Sequence, residues 1–256
     1  MNLYLSKTGI LTSSTPKLRE IFVAPFIPAS QELALLLAAT AQRQVDNPLA
    51  ISFRDEASIR GLNLGSLEKS VFYPGSGVEA YIDGKKVLVG NRGFMERKFI
   101  NHKILTQKAE QFETGGDTTV YLSVEGQPVA LFIFDNELLL VEKTLQALRD
   151  QGFNVIILSG DHKATVSSIA EALGIDRFQA EMGPEEKAQH FIQERFTGRL
   201  LASVAMHFDH HLPQGYADMS ILVGGHPQDR PGFVYNHEIR ALSDLPKLLL
   251  LEKMRG

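Results

Sequence analysis

The apolar run Val155-Ile156-Ile157-Leu158 stops at Ser159-Gly160-Asp161, and a helical pattern follows through Leu173 to a closing Gly174. A hydroxyl, a glycine and a carboxylate at the end of a buried strand and the head of a helix stand where an α/β sheet receives a ligand. Helix N-termini there offer N–H groups that no helical carbonyl has claimed. The same three residues also make an ordinary strand-to-helix turn, so the stretch is a candidate and not yet a site. The other group rich in ligating side chains is His207, Asp209, His210 and His211. Imidazoles this close together suit a transition metal, but adjacent histidines on a strand point to opposite faces, which argues against one shared ion. His226 and His237 add nothing to it.

The elements around these residues follow from their periodicity. A brief strand at 2–5 is broken by the glycine and hydroxyls of residues 6–12, and Ser13-Ser14-Thr15-Pro16 reads as a linker. A strand at 20–24 precedes a helix at 28–44 with Ser30 as its N-cap and Leu33, Leu35, Leu36, Leu37 and Ala41 on its apolar side. Asp46-Asn47-Pro48 ends it, and a second helix covers about 50–60. Residues 67–95 turn to short strands, with 78–82 and 86–90 joined by Asp83-Gly84 as a hairpin. Asn91 caps a short helix, another spans 104–112, and strands at 120–124 and 129–134 lead to Asp135. Strand–helix alternation then continues, including a helix at 141–151 before Gly152.

Composition excludes several classes. With 256 residues the chain can bury a sizeable core in one large or two modest domains. A net charge of -4 gives no basic surface for nucleic acid. There are no cysteines, hence no disulfide and no thiolate metal site. No apolar run nears the roughly 18 residues of a spanning helix, and the start lacks a signal-peptide pattern. The expected setting is the cytoplasm, or the cytoplasmic face of a membrane if the chain is part of a longer one.

The early strand is separated from its sheet partners by an inserted α+β unit, and in that frame several short motifs fall in order. Ser6-Lys7-Thr8-Gly9-Ile10-Leu11-Thr12 resembles the D-K-T-G-T-L-T phosphorylation motif of the P-type ATPases, Ser159-Gly160-Asp161 their T-G-D, and Pro184-Glu185-Glu186-Lys187 their P-x-x-K. Asn47-Pro48 stands where the heavy-metal-transporting branch has His-Pro. Gly75-Ser76-Gly77 and Gly90-Asn91 resemble that branch's nucleotide-loop glycine motifs. The resemblance covers nearly the whole chain. It implies an α/β fold: a haloacid-dehalogenase-like Rossmannoid parallel sheet at 1–17 and 114–256, with a nucleotide-binding domain inserted at 18–113.

In such a family an aspartate at the end of the first strand attacks a phosphoryl group, and neighbouring hydroxyls and a lysine stabilise the developing charge. The resemblance places Ser6 at the nucleophile position, with Thr8, Ser159, Asp161 and Lys187 around it. It assigns Gln42, Asn47, Gly75, Gly77, Gly90 and Asn91 to the nucleotide. Departures are as informative. Ser6 cannot form an acyl phosphate, and Ile10 replaces a threonine. Leu138 replaces an arginine, Gln42 a glutamate and Asn47 a histidine. The magnesium loop reads His207-Phe208-Asp209-His210-His211-Leu212-Pro213, in which Asp209 alone matches a metal-binding carboxylate. The expectation is a degenerate unit that forms no aspartyl-phosphate and retains either nucleotide binding (ATP or ADP, with magnesium disfavoured) or a regulatory role. The expected partners are nucleotide and either a membrane ATPase or the chain's own transmembrane region, with no nucleic acid. Two alternatives stay open: an active ATPase fragment or soluble phosphohydrolase using Asp161 and Asp209, and a ligand-free scaffold for a membrane ATPase.

Overall fold

A computed structural model describes residues 1–206, 216–224 and 235–255. Asp209 and the histidines at 207, 210 and 211 lie outside them, as do Leu212, Pro213 and His226. The chain begins with β1 (Asn2–Ser6), all five residues buried, and continues with β2 (Lys17–Val23). Ser30 Oγ accepts from Leu33 N–H at 3.1 Å and so caps α1 (Gln31–Ala41). Asn47 caps α2 (Pro48–Ile59), with Pro48 at the first turn, where its missing N–H costs nothing. Then come β3 (Leu67–Tyr73), β4 (Gly77–Ile82), β5 (Lys85–Gly90), α3 (Arg92–Arg97), α4 (Lys103–Glu113), β6 (Thr118–Val124) and β7 (Gln127–Asp135). The remainder is α5 (Glu142–Asp150), β8 (Asn154–Leu158), α6 (Lys163–Ala172), β9 (Arg177–Gln179), α7 (Pro184–Arg195), β10 (Leu201–Met206), β11 (Met219–Val223), β12 (His237–Ile239) and α8 (Leu245–Arg255).

Two compact units result: residues 1–14, 137–160 and 169–256 form one, and residues 15–136 with 161–168 the other. The first holds a parallel sheet in the order β12-β11-β10-β1-β8-β9. β1 lies inside it, between β8 and β10, and its burial on both faces accounts for its apolar centre, Leu3-Tyr4-Leu5. Tyr4 is its largest side chain and is fully buried. Its ring packs with Ile156, Leu158, Phe191, Leu201 and Ala205, and its hydroxyl lies 3.2 Å from His190 Nε2. Burial raises the Tyr4 pKa and lowers that of His190, so both stay neutral near pH 7.

The second unit is a six-stranded antiparallel sheet, β2-β7-β6-β5-β4-β3. Helices α1 and α2 cover one face and α3 and α4 the other. Its tight hairpins are legible in the sequence: Asp83-Gly84 and Glu125-Gly126 have positive φ at both central residues (49° and 71°, 48° and 79°), the geometry that matches the strands' twist. Strands β6 and β7 hydrogen-bond in this sheet, β6 to β5 and β7 to β2. The sequence reading instead ends the inserted domain at 113 and assigns these strands to the first domain. The physical reason is plain in β7: Phe132 and Phe134 enter the α1–α2 core while Leu131 and Ile133 enter the α3–α4 core. A strand covered on both faces reads as a continuous apolar run, and so resembles a parallel strand.

Candidate functional site

Ser6 closes β1 in register with Leu158, the last residue of β8, so Ser6 and Ser159 stand at the carboxyl ends of adjacent parallel strands. Both are buried, Ser6 at 1% exposure and Ser159 at 4%. The loop that follows Ser6 is tightly wound. Lys7 O accepts from Leu11 N–H (2.9 Å) and Thr12 N–H (3.1 Å), Gly9 N–H donates to Thr12 O (2.9 Å), and Gly9 takes φ 79°. A side chain at Gly9 would be strained in that conformation. Thr8 bridges to Thr12 within the loop. Ile10 and Leu11 are both buried, so the isoleucine that departs from the family pattern serves as core.

Ser159 is tied on both sides to the approach of α7: its N–H donates to Gln179 O at 2.9 Å, and its carbonyl accepts from Met182 N–H at 3.0 Å. Gly183 caps α7, Pro184 follows, and Glu185 and Glu186 lie in the first turn, where the helix dipole favours negative charge. Lys187 is buried at 6% exposure. Lys7 is buried as well, at 4%. Sequence reasoning passed over Lys7, although its place directly after the nucleophile position was a signal. Two buried ammonium groups are costly unless compensated.

Asp161 groups with the other unit by its contacts. Beside it, His162 Nδ1 lies 3.0 Å from Glu113 Oε2. Arg92 Nη2 pairs with the same oxygen at 2.8 Å, and Thr119 Oγ1 donates to Oε1 at 2.5 Å. Burial pushes the Glu113 carboxyl up, but hydrogen bonds from His162 and Thr119, with the Arg92 charge, outweigh it and hold the group below its ordinary range. Nearby, Tyr121 is pushed up to about 12, chiefly by burial. Thr165 Oγ1 donates to Asp117 O at 2.7 Å, so His162 and Thr165 together pin the 161–168 segment. None of this network was legible from spacing, because its members come from four separate stretches.

The nucleotide-side candidates divide into two groups. Asn91 caps α3, accepting from Phe94 N–H (2.8 Å), and its Nδ2 donates to Gly75 O (3.0 Å). Gly75 has φ 69°. Gly77 and Gly90 are register partners across β4 and β5. A Cβ on Gly90 would lie 2.5 Å from Ser76 O and 2.6 Å from the Phe94 ring. One on Gly77 would lie 2.7 Å from Gly90 Cα and would strike Val89 O. Strand approach and Phe94 packing therefore demand these glycines whether or not a ligand is present. At the α1–α2 corner, Asn47 Oδ1 accepts from Ala50 N–H at 2.8 Å, which commits its side chain to capping. Gln42 ends α1. Its carbonyl accepts from Arg54 Nη1 at 2.8 Å, but its buried Nε2 has no hydrogen-bond partner.

A magnesium ion needs several hard oxygen ligands, carboxylates foremost. At the end of β1 the Ser6 hydroxyl stands where the family has a carboxylate, Asp209 lies outside the described residues, and among the described residues no three His, Cys, Asp or Glu side chains gather as a metal would need. No helix of the described residues is long and apolar enough to cross a membrane.

Comparison with known proteins agrees with this geometry. The haloacid dehalogenase-like hydrolase family matches residues 7–193. A copper-exporting P-type ATPase of Legionella pneumophila is 30% identical over 87% of the chain, and one of Bacillus subtilis 29% over 86%. The chain spans 30% and 27% of those relatives' lengths, respectively. In fold it is similar to the catalytic domain of the CPx-ATPase CopB-B (TM-score 0.72, 21% identity, 98% of this chain and 88% of that one). A zinc-transporting PIB-type ATPase gives a TM-score of 0.50 at 25% identity, over 87% of this chain and 36% of that one.

Proposed function

Because the chain belongs to the haloacid dehalogenase-like hydrolases and resembles the catalytic domain of heavy-metal P-type ATPases, we propose that it is a degenerate form of that catalytic unit. It binds adenine nucleotide through its inserted domain and forms no aspartyl-phosphate. The observation that carries this reading is Ser6, buried at the carboxyl end of β1 in register with the end of β8. An acyl phosphate needs a carboxylate there, and a serine hydroxyl in its place adds no charge to hold a cation.

The parts kept around Ser6 belong to charge stabilisation and not to bond making. Thr8 and Ser159 are hydroxyls, and Lys187 is a buried ammonium. On the nucleotide side, the candidates are Gln42 beside the base and the Gly75–Asn91 corner beside the remaining nucleotide, with Asn47 reduced to a helix cap. Support for nucleotide binding is the similarity to the CopB-B catalytic domain, which changes conformation upon nucleotide binding, together with the unpartnered Gln42 amide.

Calorimetric titration of the chain with ATP and ADP, with and without magnesium, tests the proposal. Binding of similar strength in both conditions, with no phosphate released, is expected. Magnesium-dependent tightening with phosphate release would revive an active enzyme. No binding heat under any condition would leave a scaffold without a nucleotide.

A further inference from the structure

We infer that Gln42 leaves the base subsite indifferent to the group at carbon 6 of a purine, so that 6-oxopurine nucleotides bind alongside adenine nucleotides. This rests on the proposed reading that the inserted unit binds nucleotide with Gln42 beside the base. The fold uses the Gln42 backbone fully: its N–H donates to Ala38 O at 3.3 Å, closing α1, and its carbonyl accepts from Arg54 at 2.8 Å. It makes no use of the side-chain amide. That amide belongs to a residue only 5% exposed, and its nitrogen is sealed from water without a hydrogen-bond partner. A buried polar group left in that state costs free energy, which a ligand or a reoriented amide can recover.

An amide carries a donor and an acceptor on one planar group, and a half-turn about the last side-chain bond exchanges them. Nothing bonds the buried nitrogen, so nothing in the free protein fixes which end faces outward. An ionised carboxylate at this position offers acceptors only. It suits the amino group of adenine and repels the carbonyl oxygen of hypoxanthine or guanine. Gln42 meets the first with its oxygen and the second with its NH₂. The class of ligand thus widens from adenine nucleotides to purine nucleotides generally. Asn47 offers no free acceptor in Gln42's stead, because its side-chain oxygen already accepts from Ala50 N–H.

The test is calorimetric titration with ATP and with inosine 5′-triphosphate, which differ at carbon 6 and in the proton at N1, using the wild-type chain, Gln42→Glu and Gln42→Met. The wild type is expected to bind the two within about tenfold of one another, the cost of a single poorly shared hydrogen bond. Gln42→Glu is expected to favour ATP by roughly ten- to a hundredfold, because a charged acceptor then faces the carbonyl oxygen. If the buried carboxylate prevents folding, checked by circular dichroism, Gln42→Met carries the test by weakening both ligands by a similar factor. Rejection of the inosine nucleotide by the wild type, or unchanged affinities in Gln42→Met, would overturn the inference while leaving nucleotide binding intact. Failure of the wild type to bind either nucleotide would instead overturn the parent reading, and this inference with it.

Discussion

Gly77 and Gly90 face one another across β4 and β5 with the Phe94 ring against them. In the other unit, Ser159 and Lys187 lie buried at the end of β8 and the start of α7. Both sets carry the family pattern, yet they persist under different constraints. The glycines are demanded by strand approach, so their presence reports the fold and says little about a ligand. The buried hydroxyl and ammonium are polar groups whose burial costs free energy unless they are paired. Family-like residues that the fold does not require are the better pointers to a surviving ligand. By that standard Gln42, whose amide the fold leaves unused, points more strongly than Gly77, Gly90 or the capping residues Asn47 and Asn91.

The comparison can be broken by mutation. The largest effect is expected at Glu113, whose carboxylate holds Arg92, Thr119 and His162. Glu113→Ala leaves buried donors unpaired and should lower stability by roughly 3–5 kcal/mol in urea unfolding. Its pH dependence has a fixed sign. The folded carboxyl titrates below its ordinary value of 4.5, so its stabilisation is complete above that value and is lost as pH falls through the folded pKa. Wild type should therefore lose more stability than Glu113→Gln in melts taken from pH 6 down to pH 3. Next comes Gly90→Ala, which places a methyl against Ser76 O and Phe94 and should cost about 1–3 kcal/mol, or more if the strands cannot part. A Gly90→Ala chain of unchanged stability would contradict the packing argument.

Smaller effects sharpen the same contrast. Asn47→Ala removes the cap on Ala50 N–H and should cost about 1 kcal/mol while leaving ATP affinity unaltered in calorimetry. A large loss of ATP affinity would make Asn47 a ligand after all. Ser6→Ala removes one hydroxyl and should cost roughly 0.5–1.5 kcal/mol in the same unfolding assay, with nucleotide binding untouched. A larger loss would make Ser6 a structural requirement and not a remnant of a catalytic position.

Much of the fold was legible because local chemistry states it. Ser30 announces a helix start, Asp83-Gly84 announces a hairpin, and 155–158 announces a buried parallel strand, as found in β8, whereas Asn47 was read as ending one helix and not as capping the next. The assignment of β6 and β7 was not legible. β7 is apolar on both faces, and sheet membership depends on pairing with β2, more than a hundred residues earlier (Lys17 with Asp135). The strand-end site was legible as a motif, but the burial of Lys7 and Lys187 was not, since polarity in sequence suggests exposure. The Glu113 network escaped for a related reason. Arg92, Glu113, Thr119 and His162 meet only after folding, and each alone reads as a surface or turn residue.

The most direct measurement is a search for covalent phosphate. The chain is incubated with γ-labelled ATP and magnesium, quenched in acid, and split into portions with and without hydroxylamine. With a serine at the end of β1, no hydroxylamine-labile label is expected on the protein. Stoichiometric label that hydroxylamine removes would show an acyl phosphate on some other carboxylate and would contradict the assignment of Ser6 as a lost nucleophile.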